Sequence, residues 1–288
     1  MFNIKEYSEA GTLEELFSIL KDPDAKIIAG GTDVIVKLRE GDEAFSGKHL
    51  VGVTRIKELL EIGLDSEETL CIGAACSFTD VENNALVKKC APVLAFAVST
   101  VGGPQTRNAG TIGGNVCNGA TSADSAATLF AYNATLELAS GKGLREVQIA
   151  DFYTGPGRVA KEQDEVLVRI KIKKADYDGF VGHYTKFAQR NALDIANLSC
   201  STLVKEKDGI IEELRIAYGV AGPTPLRATI AEDFAVGKKI TPENLAEIGE
   251  KCLESSRARD SWRASKEYRE HLIKILPGRN IMTALEGK

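Results

Sequence analysis

Histidine, tryptophan and paired cysteine are what this 288-residue sequence has least of. Its three histidines, His49, His183 and His271, are not paired at metal-ligand spacing, and aromatic residues make up only 6% of the chain. The six cysteines, at 71, 76, 90, 117, 200 and 252, form no C-x-x-C string. An iron–sulfur centre draws on about four thiolates at recognisable spacing, so any such centre is expected on another chain, and these thiols read as small, reduced, buried side chains. No run nears the roughly 18 apolar residues of a membrane span. The opening MFNIKEYSEAG lacks the charged-then-apolar pattern of a secretion signal, so a cytoplasmic chain without a membrane role is the expectation. A net charge of −5 and a basic stretch, Arg257 to Arg269, diluted by Asp260 and Glu267 argue against a nucleic-acid partner. No G-x-x-x-x-G-K-[ST] string exists, which removes the P-loop nucleotidases.

What is present is ordinary globular composition, 43% apolar and 27% charged, with room for about two domains. Thr12 with Glu15 predicts a capped helix carrying Leu13, Leu16, Phe17 and Leu20 on one face. Strands are expected at Lys26–Ala29 and Leu50–Val53, making the first 55 residues a small α/β lobe. A strand at Leu70–Ala75, a capping box at Thr79 and Glu82, and an apolar helix over Pro92–Val101 follow. Alternating segments at Ala134–Leu138, Glu146–Ile149 and Val166–Ile172 predict the sheet of a second lobe, the last with Val166, Val168, Ile170 and Ile172 on one face. Beyond a polar break near residue 176, strands are expected at His183–Gln189, Leu198–Lys205 and Gly209–Val220, with a hairpin at Lys207-Asp208-Gly209. Two helices close the chain, one capped by Thr241 with Pro242 in its first turn, the other running from Ser265 to near Leu276-Pro277-Gly278.

Two glycine-rich segments carry the chemistry. In IIAGGTDV a strand runs into Gly30 and Gly31, then Thr32 and Asp33, so backbone N–H groups can face a ligand without an intervening Cβ. The same device recurs in RNAGTIGGNVCNGATSAD, where Gly110, Gly113 and Gly114 flank Thr111 and precede Asn115 and Asp124. Either glycine pair alone is more often a tight turn. Together, and with Gly102 to Asp124 lacking any helical or strand period, they point to a pyrophosphate held from two sides. Gly155-Pro156-Gly157-Arg158-Val159-Ala160 fits G-x-G-x-x-A but leaves no room for a helix before the next strand, so it reads as a turn. Leu167, on the face of its strand shared by Arg169 and Lys171, is either a surface leucine or padding for a flat ring.

IIAGGTD with TRNAGTIGGN resembles the two FAD motifs of the flavoprotein family shared by xanthine dehydrogenase, carbon monoxide dehydrogenase and nicotinate dehydrogenase. The likeness covers essentially the whole chain, and NGATSADSAATL, TGPGRV and SWRASKEYR are most similar to the separate FAD subunits of bacterial xanthine dehydrogenases. It implies an α+β fold: a two-lobed FAD-binding domain of the vanillyl-alcohol-oxidase/peroxidase-related (PCMH) type at 1–175, with lobes of about 1–55 and 56–175, then a small antiparallel-sheet-plus-helices domain at 176–288. By position, Ile27, Ile28, Ala29, Gly30, Gly31, Thr32, Asp33 and Val34 would line FAD, and Gly110, Thr111, Ile112, Gly113, Gly114 and Asn115 would form the second cradle. Asp124 would accept from a sugar hydroxyl, unless it caps the helix after it. Leu167 and Lys186 would lie near the flavin, while Val101 stands where fused animal relatives carry a phenylalanine. Ala188 to Asn197, including Asp194, resembles the loop beside the flavin in relatives. The implied role is electron transfer from a purine such as xanthine or hypoxanthine, oxidised on a molybdenum-cofactor large subunit, through a 2Fe–2S small subunit and this FAD to NAD. Nicotinate or carbon monoxide as substrate, or a non-catalytic nucleotide-binding assembly module, are the alternatives.

Overall fold

The first lobe is built from three short parallel strands that need crossovers to run the same way. Residues 2–287 are described in the computed structural model. β1 (Glu6–Glu9), α1 (Leu13–Ile19), β2 (Ala25–Ile28), α2 (Val34–Glu40) and β3 (His49–Gly52) form a sheet in the order β1-β3-β2, with α1 and α2 as the crossovers. Thr12 accepts from the N–H of Glu15 as its motif predicts, but the Glu15 carboxylate closes on the N–H of Gly11 at 2.8 Å.

The second lobe opens with a 3-10 turn at Lys57–Leu59 and then β4 (Ile62–Leu64) and β5 (Leu70–Gly73). Six helices follow: α3 (Phe78–Asn83), α4 (Ala85–Cys90), α5 (Pro92–Ser99), α6 (Pro104–Ala109), α7 (Ile112–Cys117) and α8 (Asp124–Ala131). β6 (Thr135–Ser140), β7 (Gly143–Gln148), α9 (Ile149–Phe152), the hairpin β8 (Tyr153–Gly155) and β9 (Arg158–Val159), and β10 (Val166–Ile172) complete it. The five-stranded sheet runs β4-β5-β10-β6-β7, all antiparallel. Leu70, Ile72, Leu94, Leu129, Leu136 and Ile170 are fully buried between this sheet and the helices.

Three expectations are corrected here. The cap of α3 is Ser77 with Asp80, because the chain turns where Ser77 bridges Thr111; Thr79 lies inside the helix and bonds Asn108. The aperiodic stretch 102–125 is folded into α6, α7 and the start of α8, each too short to print a period. A bulge between Leu167 and Arg169 breaks the alternation of β10, so Leu167 joins Ile170 and Ile172 in the main core while Val166 and Val168 face the first lobe. The Gly155–Ala160 string is the expected turn, with Gly157 at φ 69°.

The C-terminal part begins with α10 (Lys174–Tyr177) and an antiparallel sheet, β11 (Val181–Phe187), β12 (Leu198–Lys207), β13 (Ile210–Gly219) and β14 (Leu226–Arg227), in that order. Asp208 and Gly209 at φ 53° and 75° make the predicted hairpin turn. α11 (Thr229–Ala235) and α13 (Lys266–Glu286) lie on the sheet with α12 (Pro242–Ser255) packed against both helices, and α8 lies against β12 and β13. α13 does not stop at Pro277 but continues for nine residues to Glu286. Proline removes the N–H that would bond the carbonyl of Ile273, and the buried Tyr218 hydroxyl donates to that carbonyl at 2.7 Å instead. Among the described residues no helix is long and apolar enough to cross a membrane.

Candidate functional site

One wall of a cleft is the end of β2. Past Ile28 the chain turns at Gly31, at φ 70°, and enters α2 with no side chain capping it; the Asp33 carboxylate pairs instead with Lys37 at 2.9 Å. Among the described residues, no acceptor takes the N–H groups of Gly31, Thr32, Asp33 or Val34. Four successive free N–H groups at a positive helix end attract an anion.

The facing wall is the start of α7. Thr111 caps it by accepting from Gly114 N–H at 3.0 Å, and Gly113 N–H donates to Ala74 O at 2.9 Å. The glycines here do different jobs. A Cβ on Gly30 would overlap the carbonyl oxygen of Ala109, so glycine lets the two walls touch. A Cβ on Gly113 would lie 2.5 Å from the Ala74 side chain, so that glycine seats α7 on the end of β5 rather than opening space for a ligand. Gly114 is exposed to the cleft.

The cleft holds about 1170 Å³, somewhat more than the roughly 300–1,000 Å³ of ordinary ligand pockets. Ile27, Ala29, Gly30, Gly31, Thr32, Asp33, Val34, Val101, Gly110, Thr111, Gly113, Gly114, Asn115, Asp124 and Leu167 all line it. Ile28 and Ile112 do not, for their side chains are buried in core clusters behind the walls. Lys186 stands behind Asp124, whose Oδ2 accepts from its ammonium at 2.7 Å, and borders a second hollow of about 310 Å³ beside Phe96 and His183.

Asp124 is the first residue of α8 but caps nothing; Ala123 holds the cap position. Its Oδ1 accepts from the Tyr184 hydroxyl at 2.8 Å. Burial pushes its carboxyl above the usual range, opposed by the charge and hydrogen bond of Lys186 and the hydrogen bond of Tyr184. Lys161 is among the lining residues not foreseen, whereas Leu193, Asp194 and Ile195 come from the loop that the resemblance set beside the flavin. Burial lowers the Lys161 ammonium, which donates to the carbonyls of Glu162 and Glu165 at 2.9 and 3.0 Å. Leu193 and Ile195 flank Asp194 in the loop after β11, and both are exposed apolar residues. Burial pushes the Cys117 thiol up to about 11, which leaves it protonated and no nucleophile. Among the described residues no cluster could hold a metal.

Residues 2–174 match the family model described as FAD binding domain in molybdopterin dehydrogenase, and 183–284 match CO dehydrogenase flavoprotein C-terminal domain. The chain belongs to the FAD-binding subunits of the xanthine dehydrogenase-type molybdenum hydroxylases. This flavoprotein is 40% identical to the xanthine dehydrogenase FAD-binding subunit of Escherichia coli O157:H7, across 99% of its own length and 97% of the relative's. It is 32% identical to the nicotinate dehydrogenase FAD-subunit of Eubacterium barkeri, covering 98% and 97% of the two chains. Quinoline 2-oxidoreductase from Pseudomonas putida 86 superposes with a TM-score of 0.93 at 29% identity, over 100% and 99% of the chains. The cofactor of the flavoprotein is FAD. The cleft fits it: the free N–H groups of Gly31 to Val34 suit a diphosphate, while those of Ile112 to Asn115 on the facing wall are each bonded within the protein, and a buried carboxylate suits a polyhydroxyl chain.

Proposed function

We propose that this flavoprotein carries electrons within a three-subunit molybdenum hydroxylase, from a purine such as xanthine or hypoxanthine oxidised on a large subunit, through a 2Fe–2S small subunit, to NAD. The observation that carries the purine is the 40% identity, over nearly the whole of both chains, with a xanthine dehydrogenase FAD-binding subunit. The 32% identity to a nicotinate dehydrogenase FAD-subunit favours nicotinate as the second reading. FAD, when bound, supplies the one- and two-electron redox chemistry that lets such a relay meet a hydride acceptor.

The chain's own residues bind and shield. The N–H groups from Gly31 to Val34 hold the diphosphate, the start of α7 closes the cleft opposite them, and Asp124 accepts from a hydroxyl of the cofactor. Leu167 and Val101 pack against a ring, and Leu193 and Ile195 keep water from the mouth of the cleft. We read 1–175 as the FAD-binding domain and 176–288 as the C-terminal domain, in a cytoplasmic protein consistent with six free cysteines.

The test is anaerobic reduction of the purified complex. Xanthine is expected to bleach the flavin absorbance, NAD to restore it with formation of NADH, and a molybdenum and an iron–sulfur subunit to co-purify. Bleaching by nicotinate but not by xanthine would sink the purine reading, and a bleached flavin that NAD leaves unchanged would sink the acceptor.

A further inference from the structure

A carboxylate buried at the edge of a ligand cleft is expensive unless donors hold it. The side chains of Asp124 and Lys186 are 9% and 11% exposed, and Tyr184 is 1% exposed. The donors come from one strand of the C-terminal sheet: Tyr184 and Lys186 are two apart on β11 and so share a face. Lys186 also donates to the carbonyl of Thr100 at 3.0 Å, which fixes its ammonium between the end of α5 and the start of α8. Each Asp124 oxygen thus takes one proton donor, leaving acceptor capacity on the side that lines the cleft.

The neighbouring groups leave this carboxylate to those two donors. On the first turn of α8, Ser125 donates to Asn115 of α7 at 2.7 Å, and neither is charged. The other carboxylate lining this cleft beside the loop after β11 is Asp194, whose oxygens accept the N–H groups of Gln189, Arg190 and Ile195, each at 2.9 Å, with the Arg190 guanidinium at 3.5 Å. The Tyr184 phenol is raised well above its ordinary value by burial and by the Asp124 charge, so it remains an O–H donor wherever the protein is folded.

Resting on the FAD reading above, we propose that Tyr184 is a positioning residue of the cofactor site: its hydroxyl, acting with the Lys186 ammonium, keeps the Asp124 carboxylate anionic and aimed to accept a hydroxyl of the cofactor's sugar or ribityl chain. FAD retention is then proton-linked. Binding falls as pH drops through the folded-state pKa of Asp124, and removing a bond that favours the anion moves that fall to higher pH.

The experiment is the dissociation constant of FAD for the full-length chain, from quenching of flavin fluorescence between about pH 5 and pH 8, with the melting temperature of the apoprotein measured alongside. Tyr184→Phe keeps the ring in the core. It should weaken binding at neutral pH by roughly three- to tenfold, the effect of one lost hydrogen bond, and shift the acid midpoint upward. Lys186→Gln should shift the midpoint the same way, and Asp124→Asn should remove the acid step. A Tyr184→Phe profile that superimposes on the wild type, or that is weakened at every pH with the midpoint unmoved, overturns the proposal, since a merely structural residue would do no more. Should Tyr184→Phe fail to fold, an unmoved midpoint in Lys186→Gln overturns it instead. A wild-type chain that takes up no FAD at any pH overturns the FAD reading itself, an outcome distinct from the others.

Discussion

Single glycines in this protein differ in why they are glycine, and the difference predicts unequal effects for the same substitution. Gly30→Ala puts a Cβ into the carbonyl of Ala109, which is backbone and cannot swing away. The two walls must part, at a cost of about 3 kcal/mol or more, and FAD should be lost. Gly31→Ala meets only Ile28 and Ile35 side-chain atoms at 3.3 Å, and its penalty is the left-handed backbone at φ 70°, about 1–2 kcal/mol. Flavin absorbance and melting temperature of the two purified variants check the ranking. Equal flavin content in Gly30→Ala and wild type would mean that the walls do not need to touch. The sequence motif singled out both residues, but the contact between Gly30 and Ala109 joins positions 79 apart and has no local signature.

At the scale of elements, legibility tracked the range of the forces involved. The α1 cap, the hairpin at Asp208-Gly209 and the Pro242 helix start are set by neighbours in sequence, and each lies where the residues predict. The short helices α6 and α7 depend on distant partners such as Ala74, and the bulge in β10 depends on pairing with β6; neither leaves a period to read. The course of α13 past Pro277 is the clearest case, because what permits it is a tyrosine 59 positions earlier in the chain, on β13. That arrangement predicts a coupling. Tyr218→Phe strips the Ile273 carbonyl of its buried donor, at about 1–3 kcal/mol. With Pro277→Ala the helix supplies its own N–H to that carbonyl, so Tyr218→Phe should then cost clearly less. Chemical denaturation of the two single variants and the double variant measures the coupling, and strict additivity would contradict it.

Across the whole molecule, α8 is the element through which the C-terminal sheet reaches the cleft proposed to hold FAD. Its first residue, Asp124, is held by Tyr184 and Lys186. Its last carbonyls are met by two arginines from the same sheet, Arg227 to Phe130 O at 3.3 Å and Arg215 to Ala131 O at 3.4 Å, and cations at a helix C-terminus are favourable. Every residue from Asp124 to Ala131 is buried, because α5 covers one side and β12 and β13 the other. A fragment ending near residue 175 would therefore expose the apolar face of α8, release Asp124 from both donors and leave the helix end uncompensated. Although the two family models divide the chain close to that point, the FAD-binding half is expected not to work alone. Expressed by itself it should aggregate or bind a hydrophobic dye, and FAD affinity should fall by more than about tenfold, beyond the loss of a single hydrogen bond. The full-length chain should melt in one cooperative transition. A monomeric fragment with full-length affinity for FAD would show that the first two lobes suffice, and that the clamp on α8 serves packing alone.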